Sequence, residues 1–190
     1  AKCENMGKDF DYAHANKNVV WMSQNTNHLP THMAIQKAIR KTAGEREYTK
    51  YPLASGLPQL RNLILEDLGL PNHDLHITNG GTEALYCLMR HIQPRGSEMI
   101  TSDPSYFVVH KFAKIGGAKC TDTPIYHGDY RFDVEDIKEA ITPNSKSIFL
   151  IDPINPLGST YPKNEKRAIC EVAEDHDLWV IDDITYRDFA

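Results

Sequence analysis

The sequence predicts an α/β fold: a mostly parallel sheet flanked by helices, preceded by an N-terminal arm and one helix. Three observations predict it. From residue 75 onward, short β-type runs alternate with stretches of helical period, the pattern of strands joined by crossover helices. No internal repeat, low-complexity tract or Pro/Gly/Ser linker interrupts the alternation. The chain has 190 residues, 41% hydrophobic and 25% charged, a composition with enough apolar material for a sizeable core.

Residues 1–30 show no clear period and read as an extended arm leading to Pro30, with Val19-Val20-Trp21-Met22 as the only apolar cluster. From Thr31, a suitable N-cap, Met33, Ala34, Ile35, Ala38 and Ile39 recur at three and four residues until Gly44, a natural C′ residue. A second helix starts near Pro58, which suits a first helical turn, and carries Leu57, Leu60, Leu63, Ile64 and Leu68 before Gly69. A tyrosine-rich loop, Tyr48 to Gly56, lies between them. Strands are expected at Leu75–Thr78, Glu98–Thr101, Ala118–Thr123, Ser147–Ile151 and Leu178–Ile181. The intervening helices are expected over Thr82–Ile92, Tyr106–Ile115, Val134–Ile141 and Pro162–His176. Composition shifts near residue 44, separating an arm and first helix (1–43) from the alternating region (44–190).

Charge and cysteine content remove several function classes. The 21 Lys and Arg against 26 Asp and Glu leave a net charge of -5 with no basic block, so a nucleic-acid partner is not expected. No apolar run approaches the roughly 18 residues of a membrane helix, and Ala1–Phe10 is too polar for a secretory signal; the expectation is a cytoplasmic protein without a membrane partner. Cys3, Cys87, Cys120 and Cys170 stand far apart with no C-x-x-C pair and read as reduced, buried thiols, Cys87 and Cys170 in core positions. His28 and His32 flank Pro30 and cannot share a helical face, and His73 and His76 read as solvated, so no metal site is expected. A missing starting Met and an end at Ala190 just after a polar, aromatic-rich stretch lead us to expect a fragment of a longer chain.

In an open α/β sheet, ligands bind outside the carboxyl ends of the strands. Leu75–Thr78 runs into Asn79-Gly80-Gly81-Thr82-Glu83 and a helix, a turn that can hold a phosphate on free N–H groups, or a plain tight turn capped by Thr82. Adjacent glycines without a third do not make the G-x-G-x-x-G fingerprint of NAD sites. Glu98–Thr101 runs into Tyr106, whose ring can stack on a flat ligand or simply pack. Ser147–Ile151 runs into Asp152-Pro153-Ile154-Asn155-Pro156-Leu157-Gly158, a stiff loop that either positions Asn155 or leaves it in solvent. Leu178–Ile181 runs into Asp182-Asp183, carboxylates that need a cationic partner or serve as helix caps, with Tyr186 three residues on. Together the four ends suit a phosphorylated, aromatic, protonatable ring.

At these residues the sequence resembles the class I/II, fold-type I aminotransferases that use pyridoxal 5′-phosphate (PLP), particularly the histidinol-phosphate aminotransferase-like branch. Met22-Ser23-Gln24-Asn25-Thr26-Asn27 is similar to that branch's N-E-N segment, and Tyr51-Pro52 with Gly56, Leu60 and Arg61 to its Y-P...G...L-R segment. Asn79–Ala84 resembles the phosphate loop, Asp152–Gly158 the N-P-x-N-P-T-G loop, and Asp183–Phe189 the D-E-x-Y-x-x-F segment. The departures are Asp152 for Asn, Leu157 for Thr and Ile184 for Glu.

The resemblance implies the first part of a PLP-binding large domain over 44–190, with 1–43 on the small-domain side. It implies that Gly81 and Thr82 bind the phosphate, that Tyr106 stacks on the ring, and that Asn155 and Tyr186 hydrogen-bond the ring hydroxyl. Asp183 would keep the pyridine nitrogen protonated, the condition for an electron sink. Tyr51 would reach the neighbouring subunit's phosphate, implying a homodimer with shared sites, Asn25 would lie near the substrate, and Arg61 would be structural. Amino acids and 2-oxo acids would be the substrates. The family's Schiff-base lysine and two later arginines have no counterpart in a matching motif, so these residues alone are expected to be inactive. A PLP lyase or decarboxylase on the same fold, or a non-catalytic chain, is the competing reading.

Overall fold

The computed structural model describes residues 8–22, 25–127 and 129–189. Cys3, Ser23 and Gln24, on which sequence expectations fall, lie outside them. The chain divides into two compact units, Ala1–Pro52 and Leu53–Ala190.

The first unit holds α1 (Lys8–Ala15), α2 (Met33–Glu45) and a 3-10 turn, Glu47–Thr49. Helix α1 corrects the expectation that residues 1–30 form an extended arm. Its turns bring Phe10 and His14 to one face, and both rings meet Trp21 edge-on with centroids 6.5 and 4.9 Å away. An aromatic cluster of this kind escapes a search for aliphatic periodicity. At α2 the cap is His32, not Thr31: His32 Nδ1 accepts from the Ala34 N–H at 3.2 Å, while the Thr31 carbonyl accepts from the Gln36 side chain at 2.8 Å. Gly44 lies inside α2, and Arg46 takes the left-handed position beyond it at φ 56°. Helix α2 buries none of its residues. Thr49 bonds back to the Arg46 carbonyl through its N–H and hydroxyl, which ties the start of the tyrosine-rich loop to the end of α2.

In the second unit, α3 (Pro58–Leu68) and α4 (Gly80–Ile92) precede a regular alternation. The order is β1 (Glu98–Asp103), α5 (Val108–Gly116), β2 (Lys119–Pro124), α6 (Val134–Ala140), β3 (Ser145–Ile151), α7 (Lys163–Asp175) and β4 (Trp179–Asp183), then a 3-10 turn, Arg187–Phe189. All strand pairs are parallel, in the order β2-β1-β3-β4. This is the expected α/β architecture. Helix α3 runs between its expected punctuation, Pro58 and a left-handed Gly69 whose N–H reaches the Glu66 and Leu65 carbonyls.

Leu75–Thr78 is not a strand. A β-prone run becomes a strand only where another strand pairs with it; here the Ile77 N–H bonds the Ser55 carbonyl at 3.1 Å and the segment lies along a loop. Gly56 permits that approach: at φ 90°, an added Cβ would fall 2.3 Å from Ile77 Cγ1.

Strand alternation divides the core between two faces. Met99, Phe149, Ile151 and Ile181 pack with Leu85 and Met89 of α4 and Val109 and Ala113 of α5. Ile100, Ile148 and Leu150 pack with Ile137 of α6 and Ile169, Val172 and Ala173 of α7. Burying such side chains stabilises by roughly 1.5–3 kcal/mol each before entropy is subtracted. At the amino end of the sheet, buried Glu98 pairs with Lys119 at 2.9 Å and accepts from the Thr121 and Thr142 hydroxyls at 3.2 Å. The Lys119 hydrogen bond leads in holding its carboxyl below the ordinary range, against the effect of burial.

Cys87 and Cys170 are exposed, contrary to the expected core roles. Residues 85 and 89 turn one face of α4 to the sheet and put 87 on the other, and Cys170 is rotated off the Ile169, Val172 and Ala173 stripe of α7. Cys120 is half-buried, and desolvation, then the nearby Asp122 charge, pushes its thiol up to about 12.

Candidate cofactor site

The connection from β1 goes outward to β2, and the chain then crosses back to β3 on the other side of β1, so the winding reverses between β1 and β3. At the carboxyl ends of these strands a cavity of about 160 Å³ is lined by Gly81, Thr82, Leu85, Tyr106, Ile151, Asn155, Asp183, Thr185 and Tyr186. Gly81, Thr82, Tyr106, Asn155, Asp183 and Tyr186 are the residues the sequence predicts, brought together from four separate segments. Asn25 and Tyr51 belong to the other unit, where both are exposed.

Helix α4 is capped by Asn79, which corrects the reading of Thr82 as its cap. Gly81 and Thr82 therefore fall in the first turn, where N–H groups have no carbonyl a turn earlier to bond and the helix dipole is positive. Glu83 is turned back to the Asn79 side-chain amide at 3.0 Å and to the Asn79 N–H. A Cβ added at Gly81 would lie 3.8 Å from Thr185 Oγ1, so a side chain here would fill the space that the bare backbone leaves.

Tyr106 precedes α5, which begins at Val108 and not at Tyr106 as expected; its hydroxyl stands 3.4 Å from Thr82 Oγ1. Asn155 sits in a loop closed by hydrogen bonds from Gly158 N–H to the Ile154 carbonyl (2.6 Å) and from Ile154 N–H to the Ser159 carbonyl (2.9 Å). Asp183 ends β4, and its Oδ1 accepts from the Thr185 N–H at 3.1 Å and the Thr185 hydroxyl at 2.6 Å. Those bonds orient the carboxylate with Oδ2 left to meet a further donor.

Asp182, one residue earlier, points to the other face of the sheet. Its cationic partner is Lys166 of α7 at 3.0 Å. Leu85, Ile151 and Thr185 were not singled out from sequence. Leu85 and Ile151 had a signal, since they share face and parity with the Met89 and Ile181 core positions; Thr185 had only its place between Asp183 and Tyr186.

The donor set is compatible with a phosphorylated aromatic ring: N–H groups and a hydroxyl could meet a phosphate, a tyrosine ring a flat face, an amide and a phenol a ring oxygen, and a carboxylate a ring N–H. The family model for class I and II aminotransferases matches residues 17–190. The chain belongs to that family. It is 32% identical over 155 residues to a probable aspartate aminotransferase of Methanocaldococcus jannaschii, covering 77% of this chain and 40% of the relative. It is 28% identical over 190 residues to an aspartate aminotransferase of Pyrococcus abyssi, covering 96% and 49%. The chain thus spans about half or less of the length of the curated relatives it matches. In fold it superposes on N-succinyldiaminopimelate aminotransferase from Mycobacterium tuberculosis with a TM-score of 0.84 at 21% identity, over 93% of this chain and 48% of that one. The family's members use PLP.

Proposed function

We propose that this chain is the N-terminal part of a cytoplasmic, homodimeric PLP-dependent aminotransferase that moves an amino group between an amino acid and a 2-oxo acid. The convergence of Gly81, Thr82, Tyr106, Asn155, Asp183 and Tyr186 on one cavity carries the reading. Bound PLP supplies an electron sink for the carbon from which an amino acid loses its α-proton. In this reading the first turn of α4 holds the phosphate through the Gly81 and Thr82 N–H groups, with the helix dipole in support. Tyr106 covers one ring face. Asn155 and Tyr186 donate to the ring hydroxyl oxygen and fix the ring's rotation. Asp183, oriented by Thr185, keeps a proton on the ring nitrogen, because a carboxylate in a partly desolvated site favours a charged partner.

Asn25 at the substrate and Tyr51 at the neighbouring subunit's phosphate belong to the same proposal, as does a Schiff-base lysine from a later part of the enzyme. Resemblance of the arm and of the Tyr51-Pro52 segment supports the histidinol-phosphate aminotransferase-like branch. The relatives named aspartate aminotransferase favour a second substrate class, the dicarboxylic amino acids.

Borohydride reduction of the protein isolated from its source, followed by intact-mass measurement, tests the proposal. A PLP adduct on a chain heavier than 21.6 kDa is expected. A 21.6 kDa chain without adduct overturns it.

A further inference from the structure

Behind the cofactor cavity, on the opposite face of the sheet, lies a charged cluster that no part of the proposed reaction uses. Lys166 of α7 bonds Asp152 Oδ2 at 2.6 Å and Asp182 Oδ2 at 3.0 Å. Alternation places it there. Asp152 continues the Ile148 and Leu150 parity of β3, and Asp182 continues the Val180 parity of β4, so both carboxylates face α7. Their chain neighbours Ile151 and Asp183 face the cavity.

Each carboxylate stands at the root of a cofactor-contact segment. Asp152 Oδ1 accepts from the Tyr161 N–H at 3.2 Å, closing the loop that carries Asn155, and the Asp152 N–H bonds the Asp183 carbonyl at 3.0 Å. Asp182 directly precedes Asp183. One ammonium therefore ties the base of the Asn155 loop to the end of β4. Burial pulls the Lys166 pKa down, but the hydrogen bonds to Asp152 and Asp182 outweigh it and hold the value above normal, so the ammonium persists.

We infer that Lys166 is a positioning residue, which through Asp152 and Asp182 sets the spacing between Asn155 and Asp183 across the cavity. The inference rests on the cofactor reading above. It also accounts for Asp152, where the family motif has Asn: only a carboxylate can accept from Tyr161 and pair with Lys166 as a charge. Removing the ammonium leaves the two carboxylates without their shared cation at the ends of neighbouring strands, and their repulsion spreads those ends.

The test uses Lys166→Gln, Lys166→Arg and Asp182→Asn in the protein as isolated. It follows binding of pyridoxamine 5′-phosphate, which needs no lysine bond, by fluorescence, and hydrogen exchange of segment 153–160. In Lys166→Gln, affinity is expected to fall about tenfold, the size of a charge-assisted hydrogen bond, with faster exchange in the segment. Lys166→Arg is expected to stay within about twofold of the unaltered protein, since a guanidinium keeps the charge and the donors. Asp182→Asn keeps the Asp152 pair, so exchange is expected to be unchanged while affinity drops about threefold, part of one charge-assisted bond. If Lys166→Gln does not fold, Asp182→Asn decides: unchanged affinity overturns the inference. A folded Lys166→Gln variant with unaltered affinity and exchange overturns it too. Failure of the unaltered protein to bind pyridoxamine 5′-phosphate overturns the cofactor reading and the inference together.

Discussion

Helices α2 and α5 are both amphipathic by sequence, yet they end in opposite situations. Helix α2 buries none of its residues, with Met33, Ile35 and Ile39 more than half exposed. The shorter α5 buries Val109 and Ala113 against β1 and α4. Periodicity states which face of a helix can be buried; burial itself needs a surface to receive that face. The sheet of the second unit is such a surface, because its strands present apolar residues on both sides. The stability of this chain should accordingly be concentrated in the second unit.

The largest expected effect tests the sheet. Phe149→Ala, in the middle of β3, empties a fully enclosed site and should cost about 3–5 kcal/mol in urea unfolding; a loss below about 1 kcal/mol would break the contrast. Next comes Glu98, whose hydrogen bond with the charged Lys119 is worth about 1.5–3 kcal/mol. Its carboxyl is held below its ordinary range, so its contribution is present above the unfolded carboxylate pKa and vanishes as pH falls through the lower folded value. Acid titration of stability should show this loss in the unaltered protein and a flatter profile in Glu98→Gln. Thr185→Val removes one of two donors to Asp183 and leaves the backbone one, so pyridoxamine 5′-phosphate affinity should fall by about 1 kcal/mol, roughly fivefold. The smallest effect belongs to α2: Ile39→Ala should change unfolding free energy by less than about 0.5 kcal/mol. A cost above about 1 kcal/mol would show that this face is covered in solution.

The same contrast explains what was legible in the sequence. Glu98–Thr101, Ala118–Thr123, Ser147–Ile151 and Leu178–Ile181 became β1 to β4 with small shifts at their ends, because each is flanked by another strand on at least one side. Leu75–Thr78 has equal β character but no neighbouring strand among the described residues, and pairing is a property of two segments. The cavity-lining residues Gly81, Thr82, Tyr106, Asn155, Asp183 and Tyr186 were readable because each stands just past a strand or opens a helix, where local chain order dictates position. Thr185 was not, since its contribution is a hydroxyl 2.6 Å from Asp183 Oδ1 that only folded geometry creates. Cys87 and Cys170 misled because their apolar helical spacing suggested a core role, whereas the buried stripes run through Leu85 and Met89 on α4 and through Ile169, Val172 and Ala173 on α7. The Lys166 cluster was legible only by half: Asp182 asked for a cation, but nothing in the spacing pointed to a lysine 16 residues earlier.

The contact between Gly56 and Ile77 bears on how this sequence can change over time. A first substitution at residue 56 meets two separate obstacles, a left-handed backbone at φ 90° and both Ile77 Cγ1 and Cβ, at 2.3 and 2.6 Å. Trimming Ile77 to alanine leaves its Cβ in place, and trimming it to glycine still leaves the backbone angle that side chains disfavour. No single companion replacement therefore opens the position. This glycine stays closed to neutral drift in either order of mutation.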